Sequence, residues 1–406
     1  MRVLLIAYAC EPNKGSEPSV GWNWAISLSK FIDVTVVTRS NNKDNIEKVL
    51  TENINIKFVY FDIPLFSKIK KKIIIGTHLY YFIWQLFLPF FIIFKTSIKH
   101  FDIIHHVTFN SFSIPCFLWL FPKRFVWGPI GGGQITNFKF LPFFGKKVFF
   151  EIFRSIYIFM AKFNPFIIFQ NIFSYKIIVA NDETLLRLLF KKKAIKMLET
   201  GIESVLSFSE IEEKKISDRF FKILWVGNLE PHKCPSMLID ALSQLNNLNL
   251  KVKIIGTGSL NAKLNRKIRK LGLNNKIELL GYIDYKNIKE YYINSDIFVF
   301  TSIRDTSGNV VLEAMSCGLP VIVFDHQGVR DIVTKECGIK IPVTNYEEMV
   351  IALANSIDYL YKNPNLRLQM GKAAIERIKK DFLWENKARS MVKLYKEILN
   401  ENTTNT

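Results

Sequence analysis

The run from Ser295 to Asp325, SDIFVFTSIRDTSGNVVLEAMSCGLPVIVFD, constrains the fold more than any other part of this chain. Ile297 to Thr301 is short, apolar and β-rich, and reads as a buried strand. A polar turn from Ser302 to Asn309 follows, carrying Asp305, Ser307 and Gly308. Val310 to Cys317 reads as a helix, with Asn309 near its cap and Gly318-Leu319-Pro320 as its stop. Val321 to Phe324 is a second strand. Strand, loop, helix and strand make the repeating unit of a parallel α/β sheet, which takes its ligands at the carboxyl ends of its strands.

Chemistry gathers at that end. The amides at the start of the Asn309 helix, with the helix dipole behind them, attract an anion such as phosphate. Asp305 in the loop and Glu313 one turn into the helix place two carboxylates where their oxygens accept hydrogen bonds from a diol. Phosphate plus diols points to a sugar nucleotide. Spacing alone equally describes an ordinary βαβ unit with two solvated acids at its rim.

A chain of 406 residues exceeds one ordinary core and divides into two domains. The net charge of +19 favours an anionic partner: a membrane surface, nucleic acid or a phosphorylated substrate. Basic residues here interleave with apolar runs and form no recognised nucleic-acid motif, so no nucleic-acid partner is expected. Cys10, Cys116, Cys234, Cys317 and Cys337 are odd in number and scattered, with neither disulfide-framework nor zinc spacing, which fits a reducing cytoplasm. MRVLLIAYAC is apolar but short, runs straight into Glu11-Pro12, and reads as a strand rather than a signal peptide.

Val3 to Tyr8, a loop through Gly15, a helix from Trp22 to Lys30 and a strand from Val34 to Thr38 open a doubly wound domain. The loop lacks both the G-x-G-x-x-G and the P-loop pattern. Ile73 to Phe94 is long enough to span a bilayer and follows Lys68 to Lys72, KIKKK. His78, Gln85 and Pro89 within it, and the strand directly after it, favour a crossover helix with one greasy face, or an amphipathic helix leaning on lipid. Ile103 to Val107 reads as a strand ending in His105-His106, whose register is open. Arg124 to Trp127 leads to the glycine cluster at Gly131 to Gly133, and Phe138 to Phe169 reads as a second candidate membrane face. Charged residues from Glu210 to Arg219 mark a linker. Lys222 to Gly227, Lys251 to Ile255 and Ile277 to Leu280 are the strands that precede Ser295.

G-N-L-x-x-x-K at Gly227 to Lys233, I-I-G-x-G, L-L-G-Y, S-D-I-F-V-F-T-S and Asp305 followed by E-A-M-x-C-G-L-P-V-I stand in one order. With ACEPxxGSExxxGWxWA, YYFIWQ, FDxxHHVTF and WGPIGGG in the first half, the chain resembles the retaining glycosyltransferases of family 4. The resemblance implies an α/β GT-B fold, two Rossmann-like doubly wound domains facing a cleft. The first domain would be residues 1–205, the linker 206–220 and the nucleotide-sugar domain 221–381, with a helix at 382–399 crossing back.

The same resemblance implies site roles. Glu313 would hold the ribose hydroxyls, and Asp305, where the family more often has Glu, would sit by the transferred sugar. The amides of Ser307, Gly308, Asn309, Val310 and Val311 would line the sugar and diphosphate, with Lys233 neutralising the leaving group. Gly15 would let the first loop approach the diphosphate, His106 would position the donor sugar, and Gly256 and Tyr282 would border the donor. Asn228 stands where the family usually has an arginine, and Lys cannot replace that bidentate charge. Arg304 is a candidate substitute, and Cys234 replaces the glycine that usually follows the lysine.

No D-x-D pair and no His/Cys cluster occurs, so no metal and no cofactor is expected beyond the nucleoside-diphosphate sugar itself. The implied function is sugar transfer to a hydroxyl of a glycan or lipid-linked acceptor, in bacterial cell-surface polysaccharide or lipopolysaccharide synthesis. Its place would be cytoplasmic and peripheral, on an anionic membrane surface. The alternative is a non-catalytic sugar-nucleotide-binding protein of the same fold, motivated by Asn228.

Overall fold

The computed structural model describes residues 1–50, 55–63, 76–207, 220–245 and 248–401. Two compact units emerge: Met1–Gly133, Ile156–Thr200 and Trp384–Thr406 form one, and Gln134–Ser155 with Gly201–Leu383 the other. The basic run 68–72, the start of the apolar stretch at 73–75, most of the linker (208–219) and the chain end (402–406) lie outside the described residues.

The first unit holds β1 (Arg2–Ile6), β2 (Asp33–Thr38), β3 (Ile56–Tyr60), β4 (Ile103–His106), β5 (Arg124–Ile130), β6 (Lys176–Val179) and β7 (Ala194–Lys196). They lie in the order β3-β2-β1-β4-β5-β6-β7, every pair parallel. The second holds β8 (Phe221–Val226), β9 (Leu250–Ile255), β10 (Ile277–Gly281), β11 (Ile297–Phe300), β12 (Val321–Phe324) and β13 (Gly338–Ile341). Their order is β10-β9-β8-β11-β12-β13, again all parallel. Parallel strands covered by helices on both faces are buried on both, which is why β1 reads as unbroken apolar sequence and Val3 to Ile6 are fully buried. Strand order reverses beside β1 and beside β8, the switch points where such sheets open a crevice for ligands.

The helix Trp384–Asn400 belongs to the first unit. Trp384 meets Trp24 edge to face at 5.3 Å. The buried Lys387 donates to the Leu198 carbonyl at 2.5 Å, and burial draws its pKa down to about 7.

One expectation needs correction. Gln134–Ser155, read as part of the first domain and partly as a lipid face, packs into the second unit. Phe140 and Phe144 enter that unit's core, and Phe143 stacks on Tyr346 with ring centroids 4.3 Å apart. Lys147 then pairs with Glu230 at 2.6 Å. Phe140, Phe143 and Phe144 are thus satisfied by protein, whereas Phe138, Phe149, Phe150 and Phe153 of the same segment stay exposed.

Candidate functional site

The site in the second unit starts from two loops sewn together. After β8 the chain passes Gly227 and the exposed Asn228, turns through Pro231–Lys233 and enters the helix Pro235–Ser243. Cys234 caps that helix at φ 48°, a left-handed conformation that disfavours a side chain. Glycine suits this position for that reason, and cysteine holds it under strain of about 1 kcal/mol. Thr301 at the end of β11 donates to the Lys233 carbonyl at 2.9 Å, and the Ile303 amide donates to the His232 carbonyl at 2.9 Å. The Lys233 side chain is thereby carried to Asp305, with which it forms an ion pair, and lies 5.5 Å from the centre of the Phe300 ring.

Burial alone would raise the Asp305 pKa, but the Lys233 ammonium and its hydrogen bond, with the Gly308 amide, hold it below its ordinary value. Gly308 caps the helix Asn309–Ser316 at φ 67°, where a Cβ would fall 2.4 Å from a Val329 methyl. The Val311 amide is engaged by the Gly308 carbonyl at 2.8 Å, while Ser307 is buried and Val310 partly so. Asn309 Oδ1 is buried with no hydrogen-bond partner among the described residues, an acceptor left over in the loop assigned to the sugar.

Glu313 lies one turn along that helix and accepts from the Tyr292 hydroxyl at 2.8 Å. Burial pushes its pKa up to about 7, against the pull of that hydrogen bond. The two acids thus differ as electrostatic objects: Asp305 is ion-paired and ionised, Glu313 poised near neutrality.

Arg304 pairs with Glu151 at 3.2 Å. Glu151, only 4% exposed, also accepts from Thr136 at 2.6 Å and from Arg154 at 2.8 Å. Burial, then the nearby Arg154, lower Arg304 to about 10, so the candidate substitute for the missing arginine already has a carboxylate partner. Sequence reasoning passed over Glu151 and Tyr292, because Thr136 and Arg304 lie 15 or more residues from Glu151 along the chain and Glu313 lies 21 from Tyr292. His232, which nothing in the sequence singles out, sits among the same charges, where burial and the Arg304 and Lys233 cations lower it to about 4.

Behind these loops the strand ends are held by close backbone approach. Gly256 has φ 135°, and a Cβ there would stand 1.9 Å from the Gly227 carbonyl oxygen. Its amide donates to Gly281 at 2.8 Å, and Leu229 donates to Thr257 at 2.8 Å. Tyr282, next to Gly281, is 73% exposed. Gly256→Ala is expected to lower stability by about 3 kcal/mol or more, read from the urea midpoint. A change below about 1 kcal/mol would contradict the close approach.

Gly15 and His106 lie in the first unit. Gly15 caps the helix Ser16–Ser29 in an extended conformation, φ −90°, so its backbone makes no demand for glycine. The two histidines of β4 point to opposite faces. His105 contacts the Tyr395 hydroxyl at 2.5 Å and the Gly128 carbonyl at 2.6 Å. His106 meets the Tyr81 hydroxyl at 3.1 Å and the Gln85 side chain at 3.0 Å. Burial lowers both to about 3, leaving neutral imidazoles.

Comparison with known proteins follows the same division. Residues 207–377 match the family described as Glycosyl transferases group 1. An uncharacterized glycosyltransferase of Methanocaldococcus jannaschii is 30% identical over 175 residues, 43% of this chain and 44% of that protein. The N-acetylgalactosamine-N,N'-diacetylbacillosaminyl-diphospho-undecaprenol 4-alpha-N-acetylgalactosaminyltransferase of Campylobacter jejuni is 31% identical over 150 residues, 36% of this chain and 40% of that one. The chain spans less than half the length of these two relatives. The crystal structure of HepE from Anabaena in complex with UDP superposes with a TM-score of 0.62 at 16% identity, over 98% of this chain and 100% of that one. Two parallel sheets of this order, matched along their whole length to such a structure, are the GT-B fold, and residues 207–377 are similar to the group 1 glycosyl transferases.

Proposed function

We propose that this protein is a retaining, metal-independent glycosyltransferase of family 4. It moves a sugar from a nucleoside-diphosphate sugar to a hydroxyl of a glycan or lipid-linked acceptor in cell-surface polysaccharide or lipopolysaccharide synthesis. The observation that carries this reading is the Lys233–Asp305 ion pair at the carboxyl ends of β8 and β11, one turn of helix from Glu313. A cation beside a helix start serves a diphosphate, and the two carboxylates serve hydroxyls. The acceptor oxygen attacks the anomeric carbon on the face from which the phosphate oxygen departs, and that oxygen takes the acceptor's proton. Lys233 offsets the charge that grows on the diphosphate. No carboxylate base is then needed, and Asp305 and Glu313 act as binders of the sugar and of the ribose. Gly256 and Tyr282 border the donor, and Gly15 and His106 keep the roles that the resemblance implies, His106 as a neutral imidazole. The Campylobacter relative's diphospho-undecaprenol acceptor motivates a lipid-linked acceptor here, with the protein cytoplasmic and peripheral on a membrane.

The exposed Asn228 and the engaged Arg304 motivate the second reading, a protein that binds the donor without turning it over. Thermal denaturation with UDP, GDP, ADP and their sugars separates the outcomes. A matched ligand at about 100 times its Kd stabilises the protein by about 2.7 kcal/mol. Absence of a shift with every nucleotide would overturn donor binding. A shift without transfer or donor hydrolysis in chelator-treated protein would select the binding protein. An inverted anomeric product would remove retention.

A further inference from the structure

The helix Gly76–Lys95 is apolar over most of its surface, with an exposed His78 near its start, yet it is bonded into the first unit along one side. Tyr80, Tyr81, Trp84, Leu88 and Ile92 are buried, Trp84 donates to the Phe61 carbonyl at 3.0 Å, and the Tyr81 hydroxyl and the Gln85 side chain meet His106 of β4 at 3.1 and 3.0 Å. A helix fixed in this way is not free to cross a bilayer, where every polar group needs its partner within the span. Its outer side carries Leu79, Leu86, Phe87, Phe90, Ile93 and Phe94, where a helix facing water carries charge. Phe90 is 59% and Phe94 82% exposed.

A second apolar element continues that surface. Phe82 packs on Phe117 with centroids 6.3 Å apart, and Phe117 on Phe166 at 5.6 Å, joining the first helix to the helix Pro165–Phe173. Phe163, Phe166, Phe169 and Phe173 are all exposed. Lysines stand at the ends of both helices. Lys193 donates to the Ile172 carbonyl at 2.6 Å beside the exposed Lys191 and Lys192. Lys95 ends the first helix and Lys99 follows it, both exposed, and Lys123 donates to the Lys99 carbonyl at 3.2 Å.

We propose that this face of the first unit is a membrane-docking surface that inserts shallowly into an anionic bilayer. The phenylalanines enter the boundary between headgroups and acyl chains, and Lys191 to Lys193, Lys95 and Lys99 meet lipid phosphates. Phenylalanine flanked by lysine matches this partner on both counts: apolar surface for the acyl boundary, and positive charge for the headgroups on a chain of net charge +19. A second copy seated on the same face would bring like-charged lysines together. The inference sharpens the membrane placement in the proposed function by naming the surface, and the transfer chemistry does not depend on it.

Flotation of the full chain with vesicles tests it. Binding is expected to vesicles holding about 30% phosphatidylglycerol, weaker to pure phosphatidylcholine, and reduced at about 0.5 M salt. The pair Phe90→Asp and Phe94→Asp, and separately Lys191→Glu and Lys192→Glu, should each lower partitioning about tenfold or more. All four positions are exposed, so thermal midpoints and the donor-induced thermal shift should stay at wild-type values. Wild-type protein that ignores anionic vesicles, or variants that bind them equally well, would overturn the proposal. So would a wild-type dimer in sedimentation that dissociates in the phenylalanine variant, since a second copy would then cover the face. Because the donor shift is read on the same samples, loss of lipid binding and loss of donor binding are told apart.

Discussion

Lys233→Ala is expected to lower kcat/KM for sugar transfer by about 10²- to 10³-fold, the usual loss when one charge-stabilising donor leaves a transition state. The effect should fall mainly on kcat, because the diphosphate gains charge as the glycosidic bond breaks. Lys233→Arg should not restore the rate. The ammonium reaches Asp305 from a tight turn whose carbonyl is held by Thr301 at 2.9 Å, and a longer planar guanidinium does not occupy the same point. Lys233→Ala also strands the Asp305 carboxylate, whose pKa the lysine now holds down, so Asp305 should become easier to protonate. Lys233→Ala and Asp305→Ala should therefore combine non-additively, with the double variant less impaired than the product of the singles. Initial rates across a donor series, with folding checked by circular dichroism, provide the measurement. An alanine variant within about threefold of wild type would remove Lys233 from the transition state.

The parts of this site that were legible in the sequence are those whose geometry is local. Strand β11, the loop at Asp305 and the helix Asn309–Ser316 follow one another directly, so their order alone places a carboxylate, a helix start and a second carboxylate at one sheet end. The parts that were not legible depend on distant partners. Nothing in the residues around Phe140 or Phe144 distinguishes a lipid face from the core of the second unit, because burial is decided by what arrives from elsewhere. The histidine register was open for the same reason: alternation along β4 sends two identical side chains to opposite faces, and only Tyr395 and Tyr81 reveal which is which. Strand β7 is three residues long at the sheet edge, too short for alternation to register. The Cys234 substitution was visible, but its meaning required the left-handed φ that glycine normally absorbs.

Donor affinity is expected to rise with pH through neutrality and to lose that dependence in Glu313→Gln. The Glu313 carboxyl has a folded-state pKa of about 7 against an ordinary 4.5, because burial penalises its charged form. For stability the direction is set by that raised value. The contribution of the protonated group is fully present below about pH 4.5 and is lost as pH climbs through 7, a cost of up to about 3 kcal/mol once ionised. Binding runs the opposite way. A ribose diol donates two hydrogen bonds, which the carboxylate accepts and the protonated acid accepts less well, so the donor selects the ionised form. With a pKa near 7 the ionised fraction falls about tenfold between pH 8 and 6, and the apparent Kd should weaken by about that factor. A nucleoside-diphosphate sugar suits this test, since its phosphodiester oxygens stay ionised throughout that range. Calorimetry in buffers of different ionisation enthalpy should then show close to one proton released per donor bound at pH 6. Tyr292→Phe removes the hydrogen bond that favours the carboxylate, so the whole profile should move to higher pH. Flat wild-type affinity from pH 6 to 8, or an unchanged slope in Glu313→Gln, would place the titrating group elsewhere and take Glu313 away from the ribose.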